Sequence, residues 1–220
     1  MNEEIAPNLF SIEGKVVLIS GAGRGIGRSI SLAFASEGAD LILTARSETE
    51  LQSVASEIRE SGFTALVIPC DVSQPSQVES LFNKTQQHFG SLDILVNNAG
   101  MINPIGPIEE TDPMEWMNTI SVNLFGTYNC SRAAVPIMRA QGYGKIINIT
   151  SIVGKLGSAG SVPWGACRGG VDALTYGLAQ SLGEYGVRCV GLARGATDST
   201  PYTEEALQSR IAKIPFKRLG

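Results

Sequence analysis

This sequence predicts an α/β fold, a single doubly wound parallel sheet of six strands with helices on both faces. Two observations predict it. Short apolar runs alternate with longer amphipathic stretches along most of the chain. The short runs are apolar almost throughout, not at every second residue, which suits strands covered on both faces. Strands separated by helices of this length imply right-handed βαβ units.

Lys15 to Ser20 reads as the first strand and Gly25 to Glu37 as the first helix. Asp40 to Ala45 is a strand, followed by a charged helix from about Glu48 to Glu60. Thr64 to Pro69 is a strand, and Pro75 to Phe89 a helix with proline near its first turn. Leu92 to Asn97 is a strand, and a long helix runs from about Pro113 to Arg139. Lys145 to Thr150 is a strand, Trp164 to Glu184 a helix, and Val187 to Ala193 the sixth strand. No repeat, low-complexity tract or linker interrupts this pattern, so residues 1–220 are expected to form one domain.

The totals narrow the function classes. The chain has 220 residues, 43% of them apolar, enough for one sizeable core. Its net charge of −4 disfavours nucleic acid and anionic membrane as partners. The single histidine, His88, sits at the polar end of a predicted helix and reads as a surface residue, not a metal ligand or triad member. Cys70, Cys130, Cys167 and Cys189 are widely spaced without a Cys-x-x-Cys pair, so reduced, mostly buried thiols are expected. The acidic start Met1-Asn2-Glu3-Glu4 is not a signal peptide, and no apolar run reaches membrane-spanning length. A cytoplasmic protein without a metal is the expectation.

Ser20-Gly21-Ala22-Gly23-Arg24-Gly25-Ile26-Gly27 follows the first strand and opens the first helix. Amides at a helix N-terminus, aided by its dipole, attract phosphate, and glycine removes the Cβ that would block approach. The G-x-G-x-x-G spacing fails because Ile26 occupies the third glycine position, and no Gly-Lys-Ser/Thr follows for a Walker loop. Gly21, Gly25 and Gly27 instead fit G-x-x-x-G-x-G. A turn built only for strand–helix packing is the alternative. A dinucleotide site that prefers NAD(H) places a carboxylate at the end of the second strand. Here that end reads Leu43-Thr44-Ala45-Arg46, so Arg46 and Arg24 are available for a 2′-phosphate, which favours NADP(H) over NAD(H). The alternative is that both arginines are merely solvated.

Further motifs follow: Asp71-Val72 after the third strand, Asn97-Asn98-Ala99-Gly100 after the fourth, Val122-Asn123-Leu124, and Ile147-Asn148-Ile149-Thr150-Ser151. With the glycine turn, this set resembles the short-chain dehydrogenase/reductase family, a Rossmann-like group. The resemblance spans roughly Ile12 to Gly220 and is nearest the 3-oxoacyl-carrier-protein reductase type. It implies hydride transfer between NADP(H) and a carbonyl or secondary alcohol. It also implies cofactor contacts at Gly21, Arg24, Gly25, Ile26, Gly27, Arg46, Asp71, Val72, Asn98, Ala99 and Gly100, and catalytic roles for Asn123 and Ser151. Paired long helices in a homodimer or homotetramer are implied too.

The resemblance breaks at the proton relay. The family's catalytic tyrosine lies thirteen positions after the serine, and its lysine four further on. Here Trp164 and Arg168 hold those positions. Both keep one face of a helix. Indole donates but has no accessible conjugate base, and guanidinium is too basic to relay a proton. Arg168 keeps the charge that would hold the nicotinamide ribose. Downstream, Arg194 replaces the family's proline, while Gly195, Thr197 and Ser199 keep positions beside the nicotinamide. The family continues past Gly220 into a helix and a seventh strand, so the chain is expected to be C-terminally incomplete relative to it. Two readings follow: an NADP(H)-dependent reductase, or a redox-impaired NADP-binding homologue with a binding or non-redox role.

Overall fold

A computed structural model of the protein describes residues 11–197, 203–212 and 214–220. In chain order the elements are β1 (Val16–Ser20), α1 (Gly25–Ser36), β2 (Asp40–Thr44), α2 (Glu48–Glu60), β3 (Ala65–Val67), α3 (Pro75–Phe89) and β4 (Ile94–Asn97). Then come α4 (Pro113–Ile120), α5 (Gly126–Gln141), β5 (Gly144–Ser151), α6 (Val153–Leu156), α7 (Val162–Leu182), β6 (Val187–Arg194) and α8 (Glu204–Ala212). The six strands form one sheet in the order β3-β2-β1-β4-β5-β6, with every pairing parallel. Strand order therefore reverses between β1 and β4, and in such sheets ligands bind at the carboxyl ends beside that switch.

The unbroken apolar strands are explained by two core layers. Val16 and Leu18 face a layer completed by Val78, Leu81 and Phe82 of α3 and by Cys130, Ala134 and Met138 of α5. Val17 and Ile19, pointing the other way, face Ala35 of α1 and Leu51, Val54 and Ile58 of α2. All four cysteines are buried and free. His88 is exposed, as the sequence suggested. No helix among the described residues is long and apolar enough to cross a membrane.

One polar tie runs through the first layer. The Asn97 side-chain amide donates to Ser131 Oγ (3.1 Å) and to Asn148 Oδ1 (2.9 Å), and Asn148 donates to Thr175 Oγ1 (2.8 Å). These buried groups link β4 and β5 to α5 and α7.

The long helix expected from Pro113 is one continuous run with an added residue. Between α4 and α5, Ser121–Phe125 forms a wide turn in which the Gly126 amide bonds the Ser121 carbonyl five residues back. Such turns recur at functional sites, and this one carries Asn123. The strands expected over residues 64–69 and 92–97 are shorter; β3 stops before Pro69, which has no amide to donate. Helices α6 and α8 lie where no helix was expected. Helix α7 begins at Val162, with Pro163 in its first turn, and not at Trp164.

Candidate functional site

The glycine turn leads from β1 into α1 at the switch point. Gly21 (φ +66°) and Gly25 (φ +53°) adopt left-handed conformations that side-chain-bearing residues rarely take. A Cβ on Gly27 would lie 2.0 Å from the Gly21 carbonyl oxygen and 2.6 Å from Asn98 Nδ2, so only glycine fits. Asn98 closes the turn from β4: its side-chain amide donates to the carbonyls of Ser20 (3.0 Å) and Gly21 (3.2 Å). Ser20 Oγ in turn accepts from the amides of Asn98 (3.0 Å) and Ala99 (3.1 Å). Ala22 donates to the Thr44 carbonyl (3.2 Å), fixing the turn against the end of β2.

The first turn of α1 has neither a side-chain cap nor an acidic residue, whereas Ser47 caps α2 and Asp112 caps α4. Its free amides are thus arranged for a phosphate. Arg24, at the N-cap, and Arg46, after β2, are both exposed beside it. Across the switch, Asp71 Oδ1 accepts from the amide (3.0 Å) and hydroxyl (2.7 Å) of Ser73. Val72 packs on Gly126, where a Cβ would come within 2.6 Å of it.

The second cluster is built around Asn123, which is fully buried. Its Nδ2 donates to the carbonyls of Met101 (2.9 Å) and Thr119 (2.9 Å). Its Oδ1 accepts from the Met101 amide (3.2 Å) and from Arg168 Nη2 (3.1 Å). Arg168 Nη1 donates to the Ile149 carbonyl at the end of β5 (2.7 Å). The guanidinium therefore joins α7, β5 and the turn after α4. Gly100 makes room for it, since a Cβ there would lie 2.5 Å from Arg168 Nη2. Arg168 is only 6% exposed, and burial, reinforced by the charge of Arg194, lowers its pKa to about 10.

Ser151 ends β5 opposite Arg194 of β6, and its hydroxyl reaches the Arg194 carbonyl at 3.4 Å. That contact is long, so the hydroxyl remains available to a stronger acceptor. Trp164 is 9% exposed, and its indole N–H is buried without an acceptor.

The sequence profile of the short chain dehydrogenases matches residues 15–210. This chain belongs to that family. It is 36% identical over 220 residues to an uncharacterized oxidoreductase of Thermotoga maritima, covering 96% of this chain and 86% of the relative. It is 35% identical over 210 residues to 3-oxoacyl-(acyl-carrier-protein) reductase FabG of Staphylococcus aureus, covering 94% and 85% respectively. A structure of a variant actinorhodin polyketide ketoreductase with NADPH superposes with a TM-score of 0.89 at 29% identity, covering 94% of this chain and 85% of that one. The protein is accordingly an oxidoreductase of the short-chain dehydrogenase type.

Short-chain dehydrogenases use nicotinamide cofactors. The uncapped α1 terminus and the cradle at Gly27 fit the phosphates of such a cofactor in this short-chain dehydrogenase. The structure brings Gly21, Gly27, Asn98 and Ala99 into one interlock around Ser20, with Gly25 opening α1 beyond it, and Gly100, Asn123, Ile149 and Arg168 into another. Thr197 lies beside Gly25 and Ile26, its hydroxyl near the Gly195 carbonyl (3.4 Å). Ser199 lies outside the described residues.

Two features of this short-chain dehydrogenase escaped the sequence. One is Glu50: a Cβ on Gly23 would lie 2.8 Å from Glu50 Cβ and 3.3 Å from its Oε2, so a carboxylate packs on the glycine turn after all. Ser47-x-x-Glu50 matches a capping box, and the Glu50 amide does bond Ser47 Oγ (3.3 Å). That pattern hides the second use. The other is the direct bond from Arg168, a residue the sequence did single out, to Asn123.

Proposed function

We propose that this chain transfers hydride between NADP(H) and a carbonyl or secondary alcohol, and that it does so slowly. The observation that carries the reading is the coupling of the two clusters. Gly21, Gly27 and Asn98 form the phosphate end, and two residues along, Gly100 opens onto the Asn123–Arg168 pair. In this reading Gly21, Arg24, Gly25, Ile26 and Gly27 hold the pyrophosphate side, and Arg24 and Arg46 the 2′-phosphate. Asp71 and Val72 bound the adenine. Asn98, Ala99, Gly100, Arg168, Gly195, Thr197 and Ser199 bound the nicotinamide riboside.

The bound cofactor supplies the hydride. Ser151 donates a hydrogen bond to the carbonyl oxygen, and the Trp164 indole N–H stands at the family's tyrosine position to donate a second. Indole cannot release that proton at neutral pH, so the proton that completes the alcohol comes from water. Arg168 holds the charge beside the ribose and anchors Asn123, whose four polar contacts leave it no role in moving a proton. A positioned general acid is worth roughly 10²–10⁴ in rate, and the same factor is the shortfall expected here.

The alternative, an NADP-binding homologue with a non-redox role, is favoured by one observation. Arg168 is tied through Nη1 and Nη2 to Ile149 and Asn123, and neither its guanidinium nor the Trp164 indole releases a proton near neutral pH, so no titratable acid stands at the tyrosine and lysine positions. Exposed Phe125 in the wide turn, Tyr128 on α5 and Tyr176 on α7 support a homodimer or homotetramer through these helices. We read residues 1–220 as one domain and the protein as cytoplasmic.

The test is single-turnover oxidation of NADPH against a panel of ketones. The parent should be slow, W164Y alone little better, and W164Y/R168K faster by roughly two to four orders of magnitude. A parent already as fast as the double variant overturns the reading of the relay. Turnover in none of the three, with NADPH still bound, decides for the non-redox homologue.

A further inference from the structure

Three of the four glycines between β1 and α1 are explained by the turn itself. Gly21 and Gly25 are left-handed, and Gly27 meets the Gly21 carbonyl. Gly23 is not left-handed, so its backbone would suit any residue. What excludes a side chain there is Glu50, in the first turn of α2. A Cβ on Gly23 would lie 2.8 Å from Glu50 Cβ, 3.3 Å from its Oε2 and 3.5 Å from its carbonyl carbon. Glycine at position 23 is therefore what lets a carboxylate lie on the turn.

That carboxylate is not used by the fold. In a complete capping box the glutamate side chain returns to the amide of the cap residue. Here the Glu50 amide bonds Ser47 Oγ (3.3 Å), but the side chain turns to Gly23 instead. The ion pairs among the described residues are Lys15–Asp93 and Arg28–Glu57, so neither Arg24 nor Arg46 is bridged to Glu50. Glu50 is partly buried, while both arginines are exposed. The place is also the right one for a ribose. The Ala22 amide bonds the Thr44 carbonyl (3.2 Å), which holds the turn against the end of β2, where dinucleotide folds receive the adenosine ribose. That strand end supplies no carboxylate: Ala45 is apolar, and the buried Thr44 hydroxyl donates to the Ile68 carbonyl (2.6 Å).

We propose that Glu50 accepts a hydrogen bond from the 2′-hydroxyl of the adenosine ribose in an unphosphorylated dinucleotide, and that the site therefore takes NAD(H) as well as NADP(H). A carboxylate at this point attracts a hydroxyl donor and repels a phosphate, whereas Arg24 and Arg46 attract the phosphate. The two influences offset each other, so the preference for NADP(H) is narrow. This rests on the reading that the turn is a dinucleotide site, and it adds the second cofactor and the residue that admits it.

Calorimetry of the full chain with NADPH and with NADH tests this without any turnover. The parent should bind NADPH no more than about tenfold tighter than NADH. Glu50→Gln should weaken NADH about three- to tenfold, the worth of one charge-assisted bond, while tightening NADPH about two- to fivefold. The sign for NADH separates a contact from mere repulsion. The pyrophosphate is common to both cofactors, so removing a like charge that makes no contact would tighten both. Gly23→Ala, whose added Cβ displaces Glu50, should weaken NADH likewise; melting temperatures of both variants are checked against the parent. ADP and 2′-deoxy-ADP isolate the hydroxyl. The parent should favour ADP about threefold or more, and Glu50→Gln should favour neither. NADH binding unchanged or tightened in Glu50→Gln, or equal binding of the two nucleotides by the parent, overturns the proposal. Failure of the parent to bind either dinucleotide overturns the reading of the turn and this inference with it. The expected Glu50 effects without reduction of any ketone keep this inference and sink the redox reading.

Discussion

Replacing Gly27 by alanine should separate the architecture of the phosphate turn from ordinary glycine strain. The added Cβ would lie 2.0 Å from the Gly21 carbonyl oxygen, far inside any contact distance, and 2.6 Å from Asn98 Nδ2. Both are parts of the interlock, so the clash cannot be relieved by swinging a free side chain. Overpacking of this kind typically destabilises by about 1–3 kcal/mol. Displacing Asn98 also breaks its bonds to Ser20 and Gly21, each worth about 1 kcal/mol net. The sum is about 3–5 kcal/mol, which at roughly 2–4 °C per kcal/mol for a chain of this size lowers Tm by about 6–20 °C. Gly62→Ala is the control: its φ is +87° but nothing lies within 4 Å of the new Cβ. It should cost only about 1–2 kcal/mol, from backbone conformation alone. Thermal denaturation measures both, and calorimetry with NADPH should show binding lost in Gly27→Ala and kept in Gly62→Ala. Equal melting shifts for the two variants, or NADPH binding retained in Gly27→Ala, would refute the claim that close approach sets the identity of residue 27.

Four other outcomes are expected. Arg46→Ala should weaken NADP(H) about tenfold or more in calorimetry, the worth of a charge-assisted bond, and leave NAD(H) nearly unchanged. Glu50→Gln should tighten NADP(H) about two- to fivefold, since a like charge beside the turn is removed; no change would place that carboxylate too far from the 2′-phosphate to matter. Burial raises the pKa of Cys70 and of Cys189 to about 11 from an ordinary 9.0. Native protein should therefore resist alkylation at pH 8 while all four thiols react in denaturant. Because these folded values are raised, their stabilising contribution is complete below about pH 9 and is lost as pH rises toward 11, so urea midpoints should fall across that window. Finally, sedimentation should show a dimer or tetramer, and Phe125→Glu/Tyr128→Glu should shift it to smaller species; a parent that is already monomeric rules these helices out as an interface.

The strands and most helices were legible because their apolar periodicity reflects two buried layers, a property each segment states locally. Helices α2 and α3 even keep the expected limits, since Ser47 caps one and Pro75 opens the other. The wide turn at Ser121–Phe125 was not legible, because one extra residue in a helix leaves no break in composition. The glycine turn and Asn98 could be read as motifs, but the sequence says nothing of their mutual bonds, which depend on β1 and β4 being neighbours. Trp164 and Arg168 could be placed one turn apart on a helix. Their burial, the bond from Arg168 to Asn123, and the approach of Glu50 to Gly23 depend on tertiary packing and had no sequence signature beyond a capping pattern.

The amide tie through Asn97 and Asn148 bears on how the chain finds its sheet. Val, Ile and Leu in adjacent parallel strands are nearly interchangeable under a shift along the strand, so apolar burial alone discriminates poorly between alignments. A slip of β5 by one residue would turn Asn148 into the opposite apolar layer and away from the Asn97 amide and Thr175, while Asn97 keeps Ser131 and Thr175 keeps the Val171 carbonyl. Each orphaned buried group costs about 1–3 kcal/mol, so the misaligned sheet would be handicapped at both ends of the Asn148 amide. Hydrogen exchange at Asn97 and Asn148 should consequently be among the slowest in the protein, and Asn148→Val should leave a compact chain that samples more than one pairing of β4 with β5. Fidelity of assembly thus resides in a few polar atoms surrounded by hydrocarbon.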